Sequence, residues 1–341
     1  MRAKGICYDT GFLRGGTSSR EHFDPGLVEK ELTVIRDDLH CTAVHLTGGD
    51  PDRLELAGRL AAGLGLEVWF SPYPLELTTD EILVLLTDCA ERAERLRARG
   101  AEVVFVTGAE LSVMNHGFLE GGGTEERLAW LLGDPARRPE RIAAAGARLN
   151  AFLREAAAAV RARFHGKVTY AAIQFEAVDW DLFDFRTFEL IRSAEVADRF
   201  RDAVRSLVAQ PKPVAVTGFG TATWRGAGDV APRSMEILET DRATGAPLRL
   251  AGEHERDEAG QAAYLSELLE IFDSEGVDSA FVFLFALYNL PHRPDGDPRD
   301  DLDLASLGIV KVLEDRHGVT YPGLPWEPKA AFAAVADHYR D

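Results

Sequence analysis

The chain has 341 residues, 46% of them hydrophobic, and a net charge of −18 from 38 basic and 56 acidic side chains. That much apolar content buries a sizeable core, which excludes a disordered chain. The acidic excess excludes nucleic acid and anionic membranes as partners, and no apolar run reaches the roughly 18 residues of a membrane span. Met1-Arg2-Ala3-Lys4 leads straight into a strand-like run without a signal-peptide pattern, so a cytoplasmic protein is expected. Cys7, Cys41 and Cys89 have neither close spacing nor an even count, and are read as small buried hydrophobes.

In chain order, Gly5 to Asp9 is the first predicted strand, followed by a Gly/Ser-rich loop and a helix from Pro25 to Leu39 with Leu27, Leu32, Ile35 and Leu39 at helical spacing. Thr42 to Leu46 is a second strand, and Asp50-Pro51 opens a helix that ends near Gly63 or Gly65. Leu66 to Phe70 is a third strand. Thr78 with Glu81 forms a capping box for a helix closed by Gly100. A fourth strand, Glu102 to Thr107, leads into Gly108-Ala109-Glu110. After Gly121-Gly122-Gly123, Arg138 to Phe164 reads as a long amphipathic helix, and Val168 to Phe175 as a fifth strand.

Phe185 to Ile191 is a weaker sixth strand, with a helix over Val196 to Val208. The seventh strand starts at Lys212-Pro213 and stops at Gly218-Phe219-Gly220; period-two alternation places Val214, Val216, Gly218 and Gly220 on one face. A loop from Thr221 to Arg256 precedes a helix capped by Asp257. Asp278 to Tyr288 is an apolar eighth strand, and a last helix starts near Trp326-Glu327-Pro328. Eight alternations of apolar strand and helix predict an α/β chain, a single (β/α)8 TIM barrel spanning residues 1–341. Gly218-Phe219-Gly220 is no dinucleotide fingerprint, because Thr223 stands at the third glycine.

Barrel active sites lie at the carboxyl ends of the strands. That rule selects Asp9, His45, Tyr73, Glu110, Gln174, Glu176, Glu189, Gly218, Tyr288 and His292. Glu110 and Glu176 are the leading candidate acids. Asp9, His45, Tyr73, Glu189, Trp224 and Tyr288 are candidate substrate-binding residues, the aromatic ones by stacking on a sugar face. Each has a bland alternative, such as a core aromatic, a satisfied histidine or a salt-bridging loop acid. Asp9, His45, Glu110 and Glu176 are also the one set that suggests a metal, but they lack close ligand spacing, so neither metal nor cofactor is predicted.

The run Lys212-Pro213-Val214-Ala215-Val216-Thr217-Gly218-Phe219-Gly220 resembles the seventh strand of clan A glycoside hydrolases, where the position of Gly218 is a nucleophilic glutamate. The resemblance covers most of the chain and is strongest at Gly108–Phe118, Val214–Asp229 and Asp257–Tyr288. It extends to actinobacterial barrels, some labelled abortive infection proteins. It implies that Glu110 is the general acid/base and that the ligand is a small molecule such as a glycoside or polyol. Two departures stand out: Ala109-Glu110 lacks the family's usual asparagine, and Phe188-Glu189-Leu190-Ile191 lacks its tyrosine. With Gly218 as a vacant nucleophile position, ordinary retaining hydrolysis is expected to be impaired. An engineered knockout, a barrel repurposed for isomerase, cyclase or lyase chemistry, and a non-catalytic binding protein all fit that vacancy.

Overall fold

A computed structural model describes residues 1–241 and 244–340. Eight parallel strands close into one barrel: β1 (Ala3–Gly11), β2 (Ala43–Gly48), β3 (Glu67–Pro72), β4 (Val103–Ala109), β5 (Lys167–Ala172), β6 (Arg186–Glu189), β7 (Val214–Phe219) and β8 (Ser279–Val282). The ring closes where β1 pairs with β8 on one side and β2 on the other, Gly5 lying opposite both Phe281 and Ala43. A (β/α)8 barrel is therefore the architecture, as the alternation of elements predicts.

Helices α1 (Pro25–Asp37), α2 (Pro51–Gly63), α3 (Thr79–Ala98), α4 (Leu111–Met114), α5 (Thr124–Leu132), α6 (Arg138–Arg161), α7 (Ala197–Val208), α8 (Glu258–Ser274) and α9 (Ala330–Arg340) follow in chain order. Their starts are set locally. Asp24 accepts from the Leu27 amide, Asp50 from the Asp52 and Arg53 amides, and Thr78 and Glu81 complete a reciprocal capping box. Each cap satisfies amides that the first helical turn leaves without partners.

Two apolar layers follow from strand alternation. Cys7, Trp69, Val104, Val106, Ala171, Phe185, Ala215 and Phe281 fill the lumen, while Ile6, Val44, Phe70, Phe105, Val168 and Val216 pack outward under the helices. Trp69 is fully buried between Phe185 and Phe281, with ring centroids at 5.2 and 4.9 Å. Such aromatic pairs contribute about 0.5–1.5 kcal/mol each beyond their buried area, so the floor under the strand ends is rigid. All three cysteines are buried and free, as expected.

Four sequence expectations need correction. β5 ends at Ala172, because Ile173 to Glu176 fold into a turn closed by the Glu176 amide on the Ile173 carbonyl. β8 ends at Val282, well short of Tyr288. Trp326–Pro328 pairs with Val310–Val312 as a small hairpin, so the last helix starts only at Ala330. The shared face on β7 also breaks. Val216 and Phe219 point outward, Phe219 onto Phe272 of α8 at 4.9 Å, whereas Gly218 faces Glu189. A register shift between Phe188 and Glu189 interrupts the pleat there.

Candidate active site

Glu110 stands immediately beyond β4. The chain reaches it through Gly108, at φ +101°, where a Cβ would lie 2.9 Å from the Leu111 side chain. Glu110 itself adopts a left-handed conformation, φ +50° and ψ +31°. For a residue with a Cβ this costs about 1–2 kcal/mol, and such strain persists only where surrounding bonds enforce it. The Glu110 amide donates to the Ala171 carbonyl at 3.0 Å, and the Leu111 amide to the Tyr170 hydroxyl at 2.9 Å.

Glu176 holds that arrangement in place. One of its oxygens accepts from the Tyr170 hydroxyl (2.9 Å) and the Ile173 amide (3.1 Å), the other from the Ser112 hydroxyl (2.6 Å) and amide (3.2 Å). With both oxygens occupied and the side chain buried, Glu176 braces Glu110 through Tyr170 and α4. Both of its oxygens are therefore engaged by the protein itself.

Glu189 ends β6 directly opposite Gly218 on β7. Its Oε1 accepts from the Thr217 hydroxyl at 2.7 Å. A methyl group placed on Gly218 would lie 1.7 Å from Oε2 and 2.8 Å from the carboxyl carbon, so the carboxyl of Glu189 fills the space above the glycine. Gly218 is not at positive φ. Its lack of a side chain is thus matched by its neighbour's carboxylate and not by a backbone turn.

The electrostatics tie these groups together. Burial, then the charges of Glu189 and Glu176, push Glu110 up to about 8. Burial pushes Glu189 up to about 7, opposed by its bond from Thr217. Tyr73 is shifted far upward by burial and then by the charges of Glu110 and Glu189, which places its hydroxyl in the same field. Its ring stands edge-on to Phe12 at 5.0 Å, and Phe12 leans on Phe283 at 6.5 Å. Two carboxyls that titrate near neutrality in one field can share protons so that one is acid while the other is base.

The remaining predicted residues are taken up by other partners. Asp9 is buried and accepts from Ser19 (2.6 Å) and the Gly11 amide (2.6 Å), which ties down the loop after β1. His45 lies in the lumen with Nδ1 3.1 Å from Cys7 Sγ, and burial lowers it to about 4, so it is neutral. Trp224 donates its indole N–H to the Ser234 carbonyl at 2.8 Å and borders a separate cleft of about 270 Å³ with Gln261 and Tyr264. Tyr288 stacks on Arg20 (4.3 Å) and donates to Glu31, within a buried cluster that also holds Tyr8 and Trp326. Among the described residues, no group of three His, Cys, Asp or Glu side chains is arranged to hold a metal ion.

Comparison with solved structures gives the same architecture from end to end. A GH113 β-1,4-mannanase superposes with a TM-score of 0.61 at 16% identity, covering 100% of this chain and 99% of that one. A GH113 β-mannanase from Alicyclobacillus acidocaldarius gives 0.56 at 16% identity, covering 99% and 97%. A β-glucuronidase from Parabacteroides merdae gives 0.59 at 11% identity, covering 100% of this chain and 37% of that larger one. The fold is that of glycoside hydrolase barrels. No family model and no curated protein sequence matches the chain.

Four residues that were not among the predicted site residues stand beside Glu189 and Tyr73: Thr217, Cys7, Phe12 and Phe283. Cys7 donates to the Thr217 carbonyl at 3.0 Å, beneath Glu189, whose charge adds to the upward shift of the thiol after burial. Its place two residues before Asp9, on the lumen side of β1, is the signal that was available. Phe12 and Phe283 lie beyond their strands, where periodicity no longer informs. No helix among the described residues is long and apolar enough to cross a membrane.

Proposed function

We propose that this barrel binds a glycoside or similar polyol and carries out acid–base chemistry on it, with Glu110 as the proton donor. One observation carries the reading: a glutamate in a left-handed conformation just beyond β4 shares the strand-end rim with a second carboxylate at the end of β6, and burial pushes both carboxyls up toward neutrality. A carboxylic acid that keeps its proton at pH 7 can protonate a leaving oxygen, which a surface glutamate cannot. The mannanases and glucuronidases that share the fold support a β-linked sugar as substrate class. Retaining hydrolysis through position 218 is expected to be impaired, because Gly218 offers no nucleophilic side chain.

The test is turnover of a panel of 4-nitrophenyl β-glycosides (mannoside, glucoside, galactoside, xyloside and glucuronide) by wild type and Glu110→Gln. On the corresponding methyl β-glycosides, whose alkoxide leaving group needs the proton, turnover that falls by about 10²–10⁴ in the variant, with a smaller fall on the 4-nitrophenyl substrates, fits a general acid. A wild type silent on every sugar, yet folded, would sink the reading. One observation favours a second reading, acid–base chemistry on a less polar molecule: Phe12 and Phe283 stand with Tyr73 beside the site as an apolar wall. Silence on the panel moves the assignment there.

A further inference from the structure

We infer that Glu189 is the second working carboxylate of the site, standing over Gly218 in place of a β7 side chain and activating water for attack on the bound glycoside. The inference rests on the glycoside reading above and extends it to a residue on a different strand. The carboxyl occupies the position that the first side-chain atom of residue 218 would take, 1.7 Å from Oε2. The Thr217 hydroxyl fixes Oε1 at 2.7 Å, which leaves Oε2 as the oxygen above the glycine. Glu110 just beyond β4, Glu189 at the end of β6 and Tyr73 just beyond β3 stand on the same rim of the barrel, and the Glu189 charge raises both of the others.

Position decides the role. A glutamate projecting from 218 would carry its carboxyl carbon two bonds past Cβ, about 2.5 Å farther into the barrel. The Glu189 carboxyl lies at the level of that Cβ, so it stops short of where the carboxyl of a β7 glutamate would reach. Retaining enzymes hold their carboxyls roughly 5–5.5 Å apart, and inverting enzymes roughly 6.5–9.5 Å apart to admit a water. A carboxyl set back in this way leaves room in front of it for a water, which is what the inverting arrangement requires. The raised acidity range of Glu189 also suits a base that works near neutral pH better than a nucleophile, which should stay ionised throughout.

The step balances as follows. A water between Oε2 and the anomeric carbon gives a proton to Glu189 while its oxygen bonds to that carbon. The bond from the carbon to the leaving oxygen breaks, and that oxygen takes the proton of Glu110. The free sugar has inverted configuration; Glu189 ends protonated and Glu110 ionised, and the proton returns through solvent.

The experiment follows the first-formed anomer by proton NMR on whichever 4-nitrophenyl β-glycoside is turned over, in wild type, Glu189→Gln and Glu189→Ala/Gly218→Glu. The α-anomer first from wild type, with a loss of at least about 10³-fold in kcat for Glu189→Gln at little change in KM, is the expected result. The double variant returns a carboxylate to β7 and is expected to release the β-anomer. A β-anomer first from wild type overturns the water-activating role, and activity that survives Glu189→Gln overturns the assignment to Glu189 while leaving the glycoside reading standing. Silence of the wild type on the whole panel overturns the glycoside reading and this step with it. Independently of any sugar, ¹³C titration of the Glu110 carboxyl is expected to move to lower pH in Glu189→Gln; no movement overturns the pairing itself.

Discussion

Replacing Gly218 by alanine puts the smallest possible side chain into the space held by Glu189. The new methyl would sit 1.7 Å from Oε2, against roughly 3.2–3.4 Å for ordinary carbon–oxygen contact, so the carboxyl must retreat by at least about 1.5 Å. Only the end of a flexible side chain has to move. The cost is an off-rotamer adjustment of about 0.5–1.5 kcal/mol and one charge-assisted hydrogen bond from Thr217, about 1.5–3 kcal/mol, partly offset by the lower chain entropy of alanine. A net loss of about 1–4 kcal/mol leaves a chain of this size folded. Activity should fare worse, since a 1 Å misplacement of a working group costs on the order of 10²-fold. Gly220→Ala is the contrast, because its methyl would lie 2.2 Å from the Phe283 carbonyl oxygen, which is backbone and cannot retreat. Urea denaturation and turnover of the responsive glycoside separate the two effects: Gly218→Ala folds and is about 100-fold slower, whereas Gly220→Ala loses stability first. Full activity in Gly218→Ala, or a stability loss equal to that of Gly220→Ala, would refute the placement of Glu189.

Other predictions address the same groups. Because Glu110 and Glu189 titrate near 8 and 7 instead of 4.5, the unfolded chain binds fewer protons than the folded one between those values, so stability falls as pH rises through about 4.5 to 8. Glu110→Gln is therefore expected to be more stable than wild type at pH 8, by on the order of 1–3 kcal/mol, and alike at pH 4; urea midpoints at both pH values check this. Activity against pH should form a narrow bell between about 7 and 8, described by two values that belong to the pair, with the acid limb lost in Glu189→Gln. Tyr170→Phe leaves the Leu111 amide without its acceptor and loosens the turn at Glu110; a fall in kcat of about 10-fold at constant KM is expected in steady-state kinetics. Glu31→Ala strips a buried carboxylate from Arg20, Tyr8, Tyr288 and Trp326 and should cost about 3–5 kcal/mol in urea denaturation, with no specific effect on the pH profile.

The barrel was legible because its signals are local. Apolar strands recur along the chain and aspartate or threonine caps open α1, α2, α3 and α8, and each of these signals reports on a few neighbouring residues. The helix α3 was readable to its capping box, and Glu110 was readable from its place after β4. Extended apolar runs misled where the backbone leaves the barrel without losing its hydrophobicity. Ile173 to Glu176 turn back to bind α4, and Leu284 to Tyr288 stay buried or half-buried outside the sheet. Glu176 looked like a pocket acid because a sequence does not record which amides a carboxylate meets. Tyr288 looked like a sugar platform, yet the buried pair Arg20–Glu31 takes its ring and hydroxyl.

The deepest gap concerns Gly218, and it has a geometric origin. A motif assigns a function to a position on one strand, but a barrel site is a point in space that several strand ends can reach. Neighbouring strands lie about 4.8 Å apart, and a glutamate side chain spans about that distance from Cα to carboxylate. A carboxylate on β6 can therefore occupy space above β7 on one condition, that the β7 residue has no side chain. Gly218 meets that condition, and the register that sets Glu189 opposite it brings the carboxyl to the right level. Read along the chain, the glycine at 218 and the missing tyrosine in Phe188-Glu189-Leu190-Ile191 are two separate departures. In space, the carboxyl of Glu189 fills the room that the glycine leaves. The pair is therefore expected to be coupled: Gly218→Glu alone should destabilise the fold and Glu189→Ala alone should abolish turnover, while the combination recovers part of both. A double-mutant cycle on urea stability measures that coupling, and strict additivity of the two single changes would mean that the carboxylate and the glycine have no structural connection.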